Sequence, residues 1–142
     1  MTAYVDTSFL VSTYVVDAHS SRADQCLATA PSVSLTPFNR AEFANAIYQQ
    51  VFLQRLTLVK AQLAWKDFES DCRQGIWITA DFPSRAWETA IDLARRYGPT
   101  LGVRTLDSLH VACALELRAD KFWTFDERLA RLAEAVGLDI QP

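Results

Sequence analysis

The sequence has few glycines, prolines and cysteines, no long apolar run and no excess of basic residues. Four glycines and five prolines in 142 residues exclude collagen-like and low-complexity chains. The three scattered cysteines (Cys26, Cys72 and Cys113) contain no CxxC pair, so they exclude a disulfide framework and fit a reducing cytoplasm. No stretch approaches the roughly 20 apolar residues of a membrane span, and no signal peptide follows Met1. We therefore predict a cytoplasmic protein without a membrane segment.

The residues that are present are typical of a packed globular protein. Half of them are hydrophobic and 11% are aromatic, which is enough for a substantial core. A length of 142 residues predicts a single domain over 1–142. The net charge of -3 excludes a polybasic binder. It does not exclude an enzyme that acts on nucleic acid, because cations bound to clustered carboxylates would reverse the local field.

Short apolar strands alternate with helices along the chain. The pattern predicts strands over 3–6, 33–35, 76–79, 121–124 and 138–140. It predicts helices over 7–16, 20–30, 39–55, 58–73, 84–97 and 106–117, and a last helix that ends at 136. Such alternation indicates an α/β fold with a central parallel sheet flanked by helices on both sides. Ligands bind such sheets at the carboxyl ends of the strands.

Several helix boundaries can be assigned from capping residues. Thr7 or Ser8 is a suitable cap for the first helix, and Asn39 for the third. Glu42 stands three residues after Asn39, which is close to a capping-box pattern. The four glycines fall where helices are expected to end, including a Gly98-Pro99 pair that should close the helix over 84–97.

Four acids occupy positions that matter in such a fold. Asp6 and Asp126 lie at or just past the carboxyl ends of predicted strands, and Glu42 and Asp107 lie near helix starts. Each has an ordinary explanation alone, as a helix cap or as an acid that the helix dipole favours. Together they can converge at one edge of the sheet, where they would repel one another without cations. Oxygen donors of this kind favour Mg²⁺ or Mn²⁺, which suits hydrolysis of a phosphodiester.

The segments around these acids resemble the acidic motifs of PIN-domain nucleases. In chain order they are Tyr4-Val5-Asp6-Thr7-Ser8-Phe9-Leu10, Thr36-Pro37-Phe38-Asn39-Arg40-Ala41-Glu42, Leu106-Asp107-Ser108-Leu109-His110-Val111-Ala112-Cys113-Ala114 and Thr124-Phe125-Asp126-Glu127-Arg128-Leu129. Their order and spacing, and the length of the chain, are similar to those of VapC-like toxins of bacterial toxin–antitoxin pairs. The resemblance covers essentially the whole chain.

This resemblance implies a PIN-like fold and a Mg²⁺- or Mn²⁺-dependent ribonuclease that acts as a toxin. It also implies RNA as the substrate, inhibition by a small VapB-like antitoxin, and a homodimer. Carried over residue by residue, Asp6, Glu42 and Asp107 match the core metal-binding acids. Asp126 matches the fourth acid, which in the family is less uniformly a direct ligand.

Three further residues near the acids have candidate roles. Ser8 matches a small hydroxyl that supports the site in the family, and Thr124 stands beside the fourth acid in a position to do the same. Arg104 is either a contact for a substrate phosphate or an arginine paired with an acid. His110 is interpreted as a buried, hydrogen-bonded histidine rather than a general acid. It lies three residues before Cys113, but zinc binding is disfavoured because no second ligand pair lies nearby.

Other functions compete with the nuclease interpretation. A catalytically inactive PIN-like module that binds RNA or a partner would not need four intact acids. A receiver-type phosphoacceptor would have adjacent acids after the first strand, where Thr7 and Ser8 stand instead. An aspartate-nucleophile phosphatase would have a second Asp at position 8. Among the tryptophans, Trp77 and Trp123 are expected in the core, which leaves others as candidate anchors for a partner.

Overall fold

The computed structural model describes residues 2–30 and 32–142. Within them, the strands are β1 (Ala3–Val5), β2 (Val33–Leu35), β3 (Ile78–Thr79), β4 (Lys121–Trp123) and β5 (Asp139–Gln141). The helices are α1 (Thr7–Tyr14), α2 (Ser20–Ala28), α3 (Pro37–Phe52), α4 (Leu58–Arg73), α5 (Ala86–Leu101), α6 (Thr105–Glu116) and α7 (Glu127–Ala135). The predicted alternation of strands and helices is confirmed.

The five strands form one parallel sheet in the order β3-β2-β1-β4-β5. The chain starts at the central strand, builds outward through β2 to β3, and then crosses back to place β4 on the other side of β1. Ala3 is in register with both Val33 and Lys121. The strand order therefore reverses between β1 and β4, which is where sheets of this kind bind ligands.

Helices cover both faces of the sheet, as predicted. Alternate residues of β1 point to opposite faces, so Ala3 and Val5 pack on one side and Tyr4 on the other. The core beneath α1 to α4 contains Phe43 and Phe68, whereas that beneath α5 to α7 contains residues such as Leu132. The two parts of the core thus lie on opposite faces of one sheet, which is the predicted α/β architecture.

Helix α6 is the most deeply buried helix of the described chain. Eight consecutive residues, from Asp107 to Ala114, are buried. Because the helix packs against α5 and α7 and also contacts Tyr4 of the sheet, it shows no amphipathic pattern. This helix brings the carboxylate of Asp107 to the carboxyl edge of the sheet.

Several predicted helix caps and boundaries differ from those in the structure. Asp6, not Thr7 or Ser8, caps α1 by accepting a hydrogen bond from the backbone N–H of Phe9. Helix α3 begins two residues earlier than predicted because Thr36 is its cap. Asn39 is the third helical residue and completes the capping box with its own side chain.

The Gly98-Pro99 pair does not end α5, which continues to Leu101. A proline removes the hydrogen bond to the carbonyl four residues earlier. Here that carbonyl belongs to Arg95, which lies on the exposed face of the helix, where water can replace the missing donor. The helix ends at Gly102, whose φ of 63° lies in the left-handed region.

The third strand is also shorter than predicted, since pairing with β2 begins only at Ile78. Trp77 precedes the strand but is buried, and Trp123 is buried within β4, as expected for both. Trp87 is 57% exposed. No helix in the described part of the chain has the length and apolarity needed to cross a bilayer.

Candidate active site

A cleft of about 440 Å³ opens at the carboxyl edge of the sheet. All four predicted acids line it, together with other residues that include Thr7, Ser8, Arg104 and His110. Asp6 and Asp126 follow β1 and β4, Glu42 is the sixth residue of α3, and Asp107 lies in the first turn of α6. The fold thus brings together residues that are spread over 120 positions of the sequence, between Asp6 and Asp126.

Asp6 follows β1 directly and is only 3% exposed. Its carboxylate accepts hydrogen bonds from the backbone N–H of Phe9 at 3.0 Å, from Ser8 Oγ at 2.8 Å and from Thr124 Oγ1 at 2.7 Å. Burial raises the pKa of Asp6, although nearby His110 and these hydrogen bonds act in the opposite direction. The site therefore holds a buried carboxylate whose negative charge is only partly compensated by the protein.

The hydroxyl groups of Ser8 and Thr124 point toward Asp6 for a specific reason. Ser8 Oγ accepts the backbone N–H of Phe125, and Thr124 Oγ1 accepts that of Asp126. Because each oxygen accepts a backbone hydrogen bond, its own proton is available to the Asp6 carboxylate. Both residues thus contact the first of the predicted acids.

Glu42 lies in α3 and contacts His110 and Thr7 through one oxygen. His110 Nε2 makes a short contact with Glu42 Oε1, and Thr7 Oγ1 donates to the same oxygen at 2.6 Å. Partial burial opposes ionisation of Glu42. The interactions with His110 and the hydrogen bond from Thr7 outweigh it, and they lower the pKa of Glu42.

Behind Glu42 lies a buried polar network that the sequence did not reveal. His110 Nδ1 is 3.0 Å from the hydroxyl of Tyr4, and Asn39 Nδ2 is 3.2 Å from that hydroxyl. His110 is buried and hydrogen-bonded, as the sequence analysis expected. Tyr4 and Asn39 were assigned only to a strand and to a helix cap. The only available signal was that both stand within three residues of a predicted site acid.

Arg104 connects the two remaining acids. Its backbone N–H and Nε lie 3.2 and 3.3 Å from Asp107 Oδ2, and Nη2 lies 3.8 Å from Asp126 Oδ2. Asp126 also caps α7, because Oδ1 accepts the backbone N–H groups of Arg128 and Leu129. Arg104 was expected either to contact a substrate phosphate or to pair with an acid. In the structure it pairs with acids. Its side chain is 63% exposed at the cleft.

The donor set of the cleft fits a hard divalent cation in its chemistry. All four acids provide oxygen donors, and Asp6 and Asp107 are buried. Within residues 2–30 and 32–142, however, no group of three or more His, Cys, Asp or Glu side chains is arranged to hold a metal ion. Each acid instead has a protein partner, such as Arg104 for Asp107. Binding of a cation would therefore require some of these side chains to change partners.

Comparisons with known proteins agree with the fold. A family model described as the PIN domain matches residues 3–135. The structure resembles VapC20 from Mycobacterium tuberculosis, described as a sarcin-ricin loop cleaving toxin. The TM-score is 0.72 at 18% identity, and 99% of each chain is covered.

Two further solved structures show the same fold. VapBC2 from Rickettsia felis, bound to a DNA fragment from their promoter, gives a TM-score of 0.67 at 14% identity, covering 99% of this chain and 98% of that one. FitAcB from Neisseria gonorrhoeae gives 0.68 at 15% identity, covering 99% and 96%. No curated protein matches the sequence significantly. At these identities, the structural likeness establishes the fold.

Proposed function

The chain belongs to the PIN-domain family, and from this premise we propose that it is a divalent-metal-dependent ribonuclease, the toxin of a VapBC-like toxin–antitoxin pair. PIN domains are typically metal-dependent nucleases and generally use divalent metal ions. The observation that carries the proposal is the convergence of Asp6, Glu42, Asp107 and Asp126 on one cleft at the strand-order reversal.

The charge of the cleft supports a bound cation. Four carboxylates around one cavity repel one another, and they would also repel a phosphodiester. Asp6, Glu42 and Asp107 would hold a Mg²⁺ or Mn²⁺ ion, and Asp126 would support it or a second ion. A bound divalent cation would supply Lewis acidity and positive charge at the scissile phosphate.

The residues around the acids have supporting roles in this proposal. Ser8 and Thr124 hold the carboxylate of Asp6 in a fixed orientation. Arg104 pairs with acids in the absence of a cation, and its exposed guanidinium would turn to a substrate phosphate once a cation compensates those acids. Arg104 would thus have both roles considered from the sequence, pairing with an acid and contacting a substrate phosphate.

The proposed partners are RNA, a VapB-like antitoxin and a second copy of the chain. The support for a toxin role is that the chain aligns with nearly the full length of VapC20, a toxin that cleaves the sarcin-ricin loop. The similarity to VapBC2 and FitAcB extends equally over almost the entire chain.

The first test is RNA cleavage by purified, partner-free protein. Total cellular RNA is incubated with the wild type and Mn²⁺, and new RNA ends are mapped. Asp6→Asn and an EDTA sample are the negative arms. Asp92→Asn is the matched control, because Asp92 is an exposed residue of α5 outside the cleft. We expect discrete ends from the wild type and Asp92→Asn, and a loss of about 100-fold or more in Asp6→Asn.

Either of two results would contradict the proposal. If folded wild-type protein produces no new ends, the inactive RNA- or partner-binding module becomes the better explanation. If Asp6→Asn cleaves at the wild-type rate, the cleft has been assigned wrongly even though the protein is a nuclease.

A further inference from the structure

We propose that His110 is a positioning residue, which fixes Glu42 through a buried chain of hydrogen bonds from Asn39 and Tyr4 so that Glu42 Oε2 faces the cleft. This inference rests on the proposed nuclease function for its consequence. The hydrogen-bond chain itself can be tested without metal or RNA.

The chain of hydrogen bonds begins at Asn39, whose amide orientation is fixed. Asn39 Oδ1 accepts hydrogen bonds from the backbone N–H of Thr36 at 2.7 Å and from Thr36 Oγ1 at 2.8 Å. The amide nitrogen therefore lies on the other side, where it donates to the backbone carbonyl of Val5 at 2.8 Å and to the Tyr4 hydroxyl at 3.2 Å. Asn39 is fully buried, so no water competes for these bonds.

The next step is set by the hydroxyl of Tyr4. Because this oxygen accepts from Asn39 Nδ2, its own proton must go to another acceptor. His110 Nδ1 lies at 3.0 Å, whereas Asn39 Oδ1 is 3.4 Å away and already accepts two hydrogen bonds. Tyr4 thus donates to His110 Nδ1, which leaves the imidazole proton on Nε2.

His110 uses that proton to donate a hydrogen bond to Glu42. Nε2–H donates to Glu42 Oε1, which also accepts the hydroxyl proton of Thr7. Within residues 2–30 and 32–142, Glu42 Oε2 has no hydrogen-bond partner, and it belongs to a residue that lines the cleft. The two oxygens of Glu42 therefore differ: Oε1 accepts hydrogen bonds from the protein, and Oε2 is available to a ligand.

Packing keeps the imidazole in this orientation. The His110 ring lies 4.5 Å from the ring of Phe38 and 5.9 Å from that of Tyr4, centroid to centroid. Only 3% of His110 is exposed. Partners that orient a metal ligand in this way contribute about 10- to 100-fold to metal affinity or activity.

Two substitutions at His110 separate the hydrogen bond to Glu42 from general packing. The amide of Gln reaches about as far as imidazole Nε2, whereas that of Asn reaches only as far as Nδ1. In His110→Asn we expect Mn²⁺ affinity, measured calorimetrically on the full chain, to fall about 10- to 100-fold. His110→Gln should retain most of it. At saturating Mn²⁺, KM for RNA should stay unchanged in both variants, and thermal unfolding confirms that both are folded.

The direction of the hydrogen bonds is read by NMR of ¹⁵N-histidine-labelled, metal-free protein. His19→Gln identifies the signals of His110, since these are the two histidines of the chain. We expect a protonated Nε2 and an unprotonated Nδ1 in the wild type. Tyr4→Phe should weaken that preference, because the donor to Nδ1 is lost.

The experiments test the hydrogen-bond direction, the positioning role of His110 and the nuclease function separately. A proton on Nδ1 in the wild type contradicts the proposed chain, whatever the protein does to RNA. Equal Mn²⁺ affinity in His110→Asn and wild type contradicts the positioning role and leaves the nuclease proposal standing. Absence of both Mn²⁺ binding and RNA cleavage in the wild type overturns the proposed function itself, and the role of His110 in it.

Discussion

Thr124 donates a hydrogen bond to Asp6 over 2.7 Å, although the two residues are 118 positions apart in the sequence. The contact joins the carboxyl ends of β1 and β4, the neighbouring strands between which the strand order reverses. The same hydroxyl accepts the backbone N–H of Asp126 at 2.9 Å. One buried oxygen thus connects two of the four acids of the cleft.

Replacing Thr124 with Val should therefore damage both stability and metal binding. Val has nearly the same shape but removes the hydrogen bond to the buried Asp6 carboxylate and the acceptor of the part-buried backbone N–H of Asp126. We expect the free energy of unfolding to fall by about 1–3 kcal/mol. Mn²⁺ affinity should fall about 10- to 100-fold, because Asp6 loses an orienting partner. Thermal unfolding and calorimetric titration measure the two effects.

Thr124→Ser is the matched control, since it retains the hydroxyl and removes only a methyl group. It should stay close to wild type in Mn²⁺ affinity. Equal loss in the Ser and Val variants would show that packing, rather than the hydrogen bonds, determines the contribution of Thr124.

Arg104→Gln should increase the affinity for Mn²⁺. The guanidinium pairs with Asp107 and lies near Asp126, so it would compete with a cation for the same carboxylates. Because the Arg104 side chain is mostly exposed, we expect an increase of only about two- to five-fold. Calorimetric titration at two salt concentrations measures it, and the increase should shrink at the higher one. Unchanged or weaker binding at low salt would show that Arg104 does not compete.

Ser108→Ala should stabilise the protein. Ser108 Oγ is buried in α6 and has no hydrogen-bond partner in the described residues. Removing an unsatisfied hydroxyl from a helix should add about 1 kcal/mol to the free energy of unfolding, or about 3–5 °C to Tm. Ser12→Ala is the control, because Ser12 is equally buried but donates to Asp17 at 2.8 Å. It should lower Tm. A lower Tm in Ser108→Ala would point to a missing partner for that hydroxyl.

Cys113 should be inert to thiol reagents in the native protein. It has no exposed surface, and burial raises its pKa to about 12. At pH 8 only about one thiol in ten thousand would be ionised. A Cys26→Ser, Cys72→Ser double variant isolates Cys113, and a disulfide reagent such as DTNB should label it only after denaturation. Labelling in the native state would reveal opening of the core around α6.

Local patterns predicted most of the secondary structure. Helix α4 was predicted with the ends that it has, because Gly75 follows it. In the structure Thr57 caps its start, and Gly75 has a φ of 77°. The start of α3 was misplaced, although Pro37 directly after Thr36 is a common first helical residue. Helix α5 continues past Pro99 because the carbonyl of Arg95 is open to solvent. A local sequence pattern does not show whether a carbonyl is open to solvent.

The candidate site was predictable only in part. The four acids could be chosen because each stands near a predicted strand end or helix start. Ser8 was chosen because it matches a hydroxyl of the family that the sequence resembles, and Thr124 because it lies beside the fourth acid. The structure places all six side chains in or against one cleft. The links from Asn39 through Tyr4 and His110 to Glu42 could not be read from the sequence. They join residues between 35 and 106 positions apart. Only the packing of β1, α3 and α6 creates those contacts.

The reversal of strand order at β1 also affects when this cleft can exist during synthesis. A growing chain produces Asp6 first, but β1 lacks one of its two neighbours until β4 has left the ribosome. Asp107 and Asp126 are made 101 and 120 residues after Asp6. If the protein cuts RNA, a nascent chain cannot complete the proposed nuclease cleft before these segments have been synthesised.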